Sequence, residues 1–184
     1  MLLPLDVLSL VFSAWSLAGI APAHAALLNV TIDDSLGDSH TGALIAYEPP
    51  TRWSAGRNCT DCSANLDHSK VLDGTWHEAL FTSTHERDGV ADVPLIASAK
   101  FEGVALYVFC VVAHTSGNTD LRFLLDGEHV GSFVQPPIGS SHFEYNVPVY
   151  VNESISPGEH TLSIINGQPL GNESLVLLDY IVYS

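Results

Sequence analysis

Phe101-Glu-Gly-Val-Ala-Leu-Tyr-Val-Phe-Cys-Val-Val-Ala113 decides the fold class. From Val104 to Ala113 the chain carries no charge, no proline and no apolar-polar alternation, the pattern of a central strand covered on both faces. Glu102-Gly103 separates it from the apolar run Pro94 to Phe101, and the spacing predicts that these two runs pair as a hairpin. Working outward, further short runs rich in Val, Ile, Leu, Phe and Tyr recur at intervals broken by Gly, Pro, Asn or Asp. They are predicted as strands at Asn29 to Asp33, Ala43 to Tyr47, Thr75 to Thr82, Leu121 to Leu125, Gly131 to Val134, Phe143 to Val149, His160 to Ile165 and Ser174 to Tyr183. No long window has the 3.6-residue apolar period of a helix. The expectation is an all-β, two-sheet antiparallel sandwich of jelly-roll type with almost no helix.

Two turns have a mechanism in their composition. Asp126-Gly127 supplies the φ > 0 positions of a tight turn, and Pro157-Gly158 breaks the chain before the strand at His160. Phe143, Tyr145, Val147 and Val149 alternate with Glu144, Asn146 and Pro148, so that strand has one wet face. Pro148 puts it at a sheet edge or near a bulge.

The 184 residues are 46% apolar, enough for one sizeable core, and carry 6 Lys+Arg against 21 Asp+Glu for a formal charge of −15. So acidic a surface repels phosphate backbones and anionic headgroups, which excludes nucleic acid as a partner class. Val7 to Ile20 is uncharged and mostly apolar, and Ala21-Pro-Ala-His-Ala25 has the small residues a signal peptidase accepts. Residues 1–25 are therefore expected to be a cleaved signal peptide and 26–184 a single secreted domain with no further transmembrane span. The alternative is a retained anchor, because the uncharged stretch runs from Val7 to Leu28. N-x-[ST] triplets at Asn29, Asn58, Asn152 and Asn172 are expected glycosylation sites. Cys59 and Cys62, in a polar loop, are read as a local disulfide and Cys110 as a small buried hydrophobe, with a bridge from Cys110 to either still open.

The run Tyr47-Glu-Pro-Pro-Thr-Arg-Trp53, Cys59 with Cys62, Phe101-x-Gly with Ala105-Leu-Tyr-Val-Phe-Cys110, Leu125-Asp-Gly127, Tyr145-Asn-Val-Pro-Val-Tyr150, Gly158-Glu-His-Thr-Leu162 and Leu178-Asp-Tyr-Ile-Val-Tyr183 occur in an ordered combination. Together they resemble the secreted or cell-surface proteins of mushroom-forming (basidiomycete) fungi, a large and mostly uncharacterised family. Several of the same segments look like the galactose-binding-like jelly rolls of carbohydrate-binding modules, which implies a lectin-like fold.

Candidate site residues follow from chemistry. Tyr47, Trp53 and Trp76 are the ring types on which the C–H face of a sugar packs, and Arg52, Asp73 and His77 beside them would bond its hydroxyls. Asp33, Asp34 and Asp38 around Gly37 make an oxygen-rich turn, and a structural Ca²⁺ there is implied only by the lectin-like resemblance. The histidines lack metal-ligand spacing, G-x-S-x-G is absent, and no acid pair stands out from an acidic surface. The function expected is a non-catalytic module binding a glycan or cell-wall polysaccharide. A structural or protein-interaction ectodomain is the alternative, and a hydrolase comes third.

Overall fold

The structure is a computed structural model that describes residues 28–83, 93–114, 118–169 and 171–184. The expected leader, residues 1–25, lies outside them. The described residues form twelve strands: β1 (Val30–Asp33), β2 (Gly37–Asp38), β3 (Ala46–Glu48), β4 (Ser54–Ala55), β5 (His77–Phe81), β6 (Leu95–Glu102), β7 (Leu106–Ala113), β8 (Thr119–Leu125), β9 (Glu128–Gln135), β10 (Phe143–Asn152), β11 (Glu159–Asn166) and β12 (Ser174–Tyr183). They make two antiparallel sheets, one of seven strands running β10-β7-β12-β1-β2 with β5 and β4 attached, the other of five in the order β3-β6-β11-β8-β9. Among the described residues the helical content is four short 3₁₀ turns. Among the described residues no helix is long and apolar enough to cross a membrane. This is an all-β jelly-roll sandwich.

β12 organises the larger sheet because it is long enough to serve three partners. Its first half pairs with β5, its second with β1, and its other edge lies against β7 from Leu178 to Tyr183. Inward residues of both sheets, among them Leu106, Val108, Leu121, Phe123, Leu162 and Ile181, are fully buried between the layers. A second cluster lies on the outer face of the seven-stranded sheet. There the segment 56–74 folds over Val111, Ala113, Leu175 and Leu177 and buries Ala64, Leu66, Val71 and Trp76. The apolar run Val104 to Ala113 is thus covered on both faces at its far end, while Tyr107 and Phe109 remain half-buried.

The hairpin expected around Glu102-Gly103 does not form. β6 belongs to the five-stranded sheet and β7 to the seven-stranded one, so the turn crosses between layers. It is held by the far end of the chain: the Ser184 carbonyl accepts the N–H groups of Val104 (2.6 Å) and Ala105 (3.1 Å), and Gly103 N–H donates to Gly158. Gly103 is needed for closeness, because a Cβ there would stand 2.7 Å from the Ser184 oxygen. Asp126-Gly127 does turn β8 into β9, with φ of 53° and 87°. β10 is an edge strand with register shifts on either side of the Val147–Pro148 step, in keeping with its proline.

The two layers are joined by a polar seam as well as by packing. Asn166 on β11 is fully buried, and its Nδ2 donates to Ala79 O on β5 (2.9 Å) and Ser174 O on β12 (3.0 Å). Ser174 Oγ donates to Asn166 Oδ1 (2.6 Å) and accepts Asp120 N–H from β8 (2.8 Å). Thr119 Oγ1 donates to Leu175 O beside it (3.1 Å). Replacing Asn166 by Ala leaves two buried carbonyls and a hydroxyl without their partner, and the expected loss is about 2–4 kcal/mol in a urea unfolding curve, with unchanged m-value.

Candidate functional site

The residues singled out from sequence separate into two places. Tyr47, Trp53 and His77 come together around Asp34. The Tyr47 ring stacks on His77 (4.2 Å, 12°) and leans on Trp53 (4.8 Å), and its hydroxyl donates to the Asp34 carbonyl (2.8 Å). Asp34 lies in the turn between β1 and β2, and its carboxylate takes Thr75 Oγ1 (2.6 Å), Ser35 Oγ (2.7 Å) and His77 Nδ1 (2.7 Å). Trp53 is 8% exposed and donates its Nε1–H to Glu48 O (3.2 Å). Arg52 is exposed and reaches Leu80 O, whereas Asp73 is exposed in a φ > 0 turn (50°). Trp76 is elsewhere, under the 56–74 segment and 1% exposed.

The sugar platform expected from Trp53 and Trp76 is therefore corrected: neither ring presents a face to solvent. Their sequence neighbours are polar, but segment 56–74 closes over Trp76 and the Tyr47–His77 stack closes over Trp53. The closing segment is pinned by buried acids. Glu78 accepts Ser63 N–H (2.5 Å) and Ala64 N–H (3.3 Å), and Asp179 accepts Leu72 N–H (2.9 Å).

The aspartates around Gly37 are buried as well. Asp33 Oδ1 accepts the N–H groups of Ser35 and Leu36 (2.8 and 2.7 Å), and Asp38 accepts those of His40 and Thr41 together with the Tyr183 hydroxyl (2.9 Å). Apart from Asp33 Oδ2, which has no partner among the described residues, their oxygens serve internal donors and point to different partners. Among the described residues no group of three or more His, Cys, Asp or Glu is arranged to hold a metal ion. The residues present do not fit the structural Ca²⁺ that the lectin-like resemblance implied. Cys59 and Cys62 form the disulfide, and Cys110 is free and buried, its thiol pushed far up by burial and by nearby Asp179. Asn29, Asn58 and Asn172 are exposed, whereas Asn152 is half-buried with its amide on the Tyr150 hydroxyl (3.2 Å).

A site that local sequence did not mark lies at one end of the sandwich. A cleft of about 760 Å³ opens between the layers where β6 ends and β11 begins, beside the end of β12 and the turn after β2. Behind its wall Phe101 packs against His160 (5.5 Å) and Tyr183 (5.6 Å), with Phe101 and Tyr183 themselves buried. Its rim is polar, with Lys100, Glu102, Glu159 and His40 exposed around it. Glu102 and Glu159 are direct partners on neighbouring strands. Two like charges so placed weaken the pairing, so the rim holds acceptors at a cost to the sheet. His160 is fixed by Asp126 Oδ2 on Nδ1 (2.7 Å) and Ser156 O on Nε2 (2.7 Å). These bonds, the one to Asp126 first, raise its pKa and favour the imidazolium form.

No protein-family model matches the chain, and neither does any curated protein. Among solved structures the fold is similar to the Agl-KA catalytic domain, at 11% identity and a TM-score of 0.50, over 93% of this chain and 30% of that one. It is also similar to a family 35 carbohydrate binding module from Clostridium thermocellum (11%, TM-score 0.46, 86% and 99% of the two chains) and to TmCBM61 in complex with beta-1,4-galactotriose (10%, 0.43, 76% and 86%). These likenesses concern the fold.

The buried acids make stability depend on pH. Burial raises Asp179 to about 7, and the Asp33 and Asp34 carboxylates add to the shift against the opposing Leu72 N–H bond. Burial raises Asp33 too. A carboxyl raised in the fold favours folding while protonated, so this contribution is complete below pH 3.8 and lost as pH climbs through about 7. His160, also raised, acts in the same direction above its ordinary 6.5. Asp38 and Asp126 are lowered: at Asp38 the burial is outweighed by the Thr41 and His40 N–H bonds, and at Asp126 the cause is the His160 bond. Their contributions disappear only below about pH 4. The melting temperature is expected to fall from pH 5 to pH 8, with Asp179 responsible for about 3 kcal/mol. Asp179→Asn, which keeps an acceptor for Leu72, should raise the pH 8 value and flatten the slope in a pH series of thermal melts.

Proposed function

We propose that this chain is a secreted, non-catalytic module that binds carbohydrate in the cleft between β6, β11 and β12. The single observation that carries the reading is the cleft itself. Lys100, Glu102 and Glu159 around its rim supply donors and acceptors for the hydroxyls of a sugar, above a wall closed by the buried rings of Phe101 and Tyr183. A volume of about 760 Å³ accommodates a short oligosaccharide, within the ordinary range for ligand pockets. The resemblance of the chain's ordered motifs to the mushroom cell-surface proteins supports a role outside the cell, on a fungal surface or in its matrix, with a cell-wall polysaccharide or glycan as partner. The fold's neighbours among solved structures include a family 35 carbohydrate binding module and TmCBM61 in complex with beta-1,4-galactotriose, proteins of the same ligand class.

A second reading has its own observation. Trp53 and Trp76 are core residues, as a structural or protein-interaction ectodomain would have them. The two are separated by a binding screen of residues 26–184 against chitin, β-glucans, mannans and galactose-bearing glycans. The expected result is a hit that Lys100→Ala with Glu159→Gln weakens at least about tenfold, about 1.4 kcal/mol, with no fall in melting temperature. No binding to any of these glycans leaves the second reading.

A further inference from the structure

Each sheet of the sandwich ends in strands that have a neighbour on one side only, and most of these edges are blunted. β10 carries Pro148 and two register shifts. β2 and β4 are two residues long, and β3 is three residues long and runs straight into Pro49-Pro50. Short length, proline and bulges keep an edge from recruiting another strand. β9 is the exception. It spans eight residues, contains neither Pro nor Lys, and among the described residues pairs with β8 alone.

The one irregularity of β9, the register shift at Val130, lies near its start and leaves Gly131 to Gln135 in regular register with β8. The free side of such a strand presents a row of N–H and C=O groups that another extended backbone matches in spacing and direction. The side chains along the edge identify the backbone it takes. Val130 and Val134 are exposed, the latter 58% so, and Phe133 is only partly buried against the core.

Residues that face one another across an antiparallel pair share a sheet face, so a strand that pairs with its own copy about a two-fold places one residue opposite itself. With Ser132 in that place, Gly131 of each copy meets Phe133 of the other, which covers the position that has no side chain. Val130 of each copy meets Val134 of the other, which takes both exposed valines out of water. Glu128, the one acid of β9, falls outside the paired stretch. No like charges then oppose each other along the seam, which matters in a chain of formal charge −15.

We propose that β9 joins β9 of a second copy of this chain, antiparallel about a two-fold at Ser132, so that two five-stranded sheets become one of ten strands. This does not depend on what the cleft binds. The cleft lies at the end of the smaller sheet where β9 starts: Glu159 opens β11, Leu162 faces Leu125 on β8, and Leu125 faces Glu128. An antiparallel pair therefore carries its two clefts at opposite ends, an arrangement that links two ligands instead of gripping one twice.

The test is the mass of residues 26–184 in solution, by sedimentation equilibrium over a concentration series from about 1 μM to about 1 mM. The expected result is a rise from the mass of one chain to that of two. Val134→Lys sets its ammonium beside Asp120, the direct partner on β8, so the melting temperature should not fall. On the seam the same change replaces a valine contact with a charge, and it should weaken association at least tenfold. Register is read by cross-linking. Ser132→Cys should form a disulfide between copies on mild oxidation, because that residue faces itself at a Cα spacing a disulfide spans. Val134→Cys, which stands about 13 Å along the strand from its own copy, should not. A single-chain mass at every concentration overturns the proposal and leaves this edge to a strand of a different protein. Association that Val134→Lys leaves unchanged, or cross-linking through Val134→Cys as readily as through Ser132→Cys, overturns it as well.

Discussion

Asn166 is the point on which the two layers agree. Hydrophobic burial presses the sheets together but is nondirectional, and by itself it does not say which residue of β11 faces which residue of β5 or β12. The Asn166 amide does, since its two donors and one acceptor are all spent on Ala79, on the carbonyl of Ser174 and on its hydroxyl. Ser174 then hands the constraint to Asp120 on β8. A sliding of one sheet by a single residue would strand this whole set in a dry interior, where an unmade bond is expensive. The relative position of the layers, and with it the shape of the cleft at their far end, follows from that seam.

How much of this could be read beforehand depended on whether the cause was local. Every predicted strand is found, and Pro148 and Asp126-Gly127 behave as their backbone chemistry requires. β2 and β4, two residues each, are too short to leave a period. Glu102-Gly103 misled because it has the composition of a hairpin turn, while its glycine answers to Ser184, a residue at the other end of the sequence. The cleft was illegible for the same reason: Asp38, Lys100, Glu159 and Tyr183 come from four separate segments, and no spacing within one segment announces them. Trp53 and Trp76 have polar neighbours in the chain and apolar ones in space. Only the folding over of segment 56–74 makes Trp76 a core residue.

The acidic composition also reads differently once the fold is known. Asp33, Asp34, Asp38, Glu78 and Asp179 are all buried, and each accepts hydrogen bonds from the turns or segments around it. They do the work that secondary structure does elsewhere, satisfying the backbone of segments too irregular to satisfy themselves. Charges used in this way are costly to bury, and the raised pKa of Asp179 is the visible part of that cost. The surface is correspondingly less negative than the formal charge implies.

Leu28, the first described residue, and Ser184 both line the cleft. Anything joined covalently at Ser184 therefore leaves the sandwich from the wall of that opening. A purification tag, a display tether or a neighbouring domain attached at either position would share the entrance with an incoming ligand. An attachment on the Asp126-Gly127 turn, or at an exposed side chain of β9, would orient the molecule without crowding that entrance at its two chain-end walls.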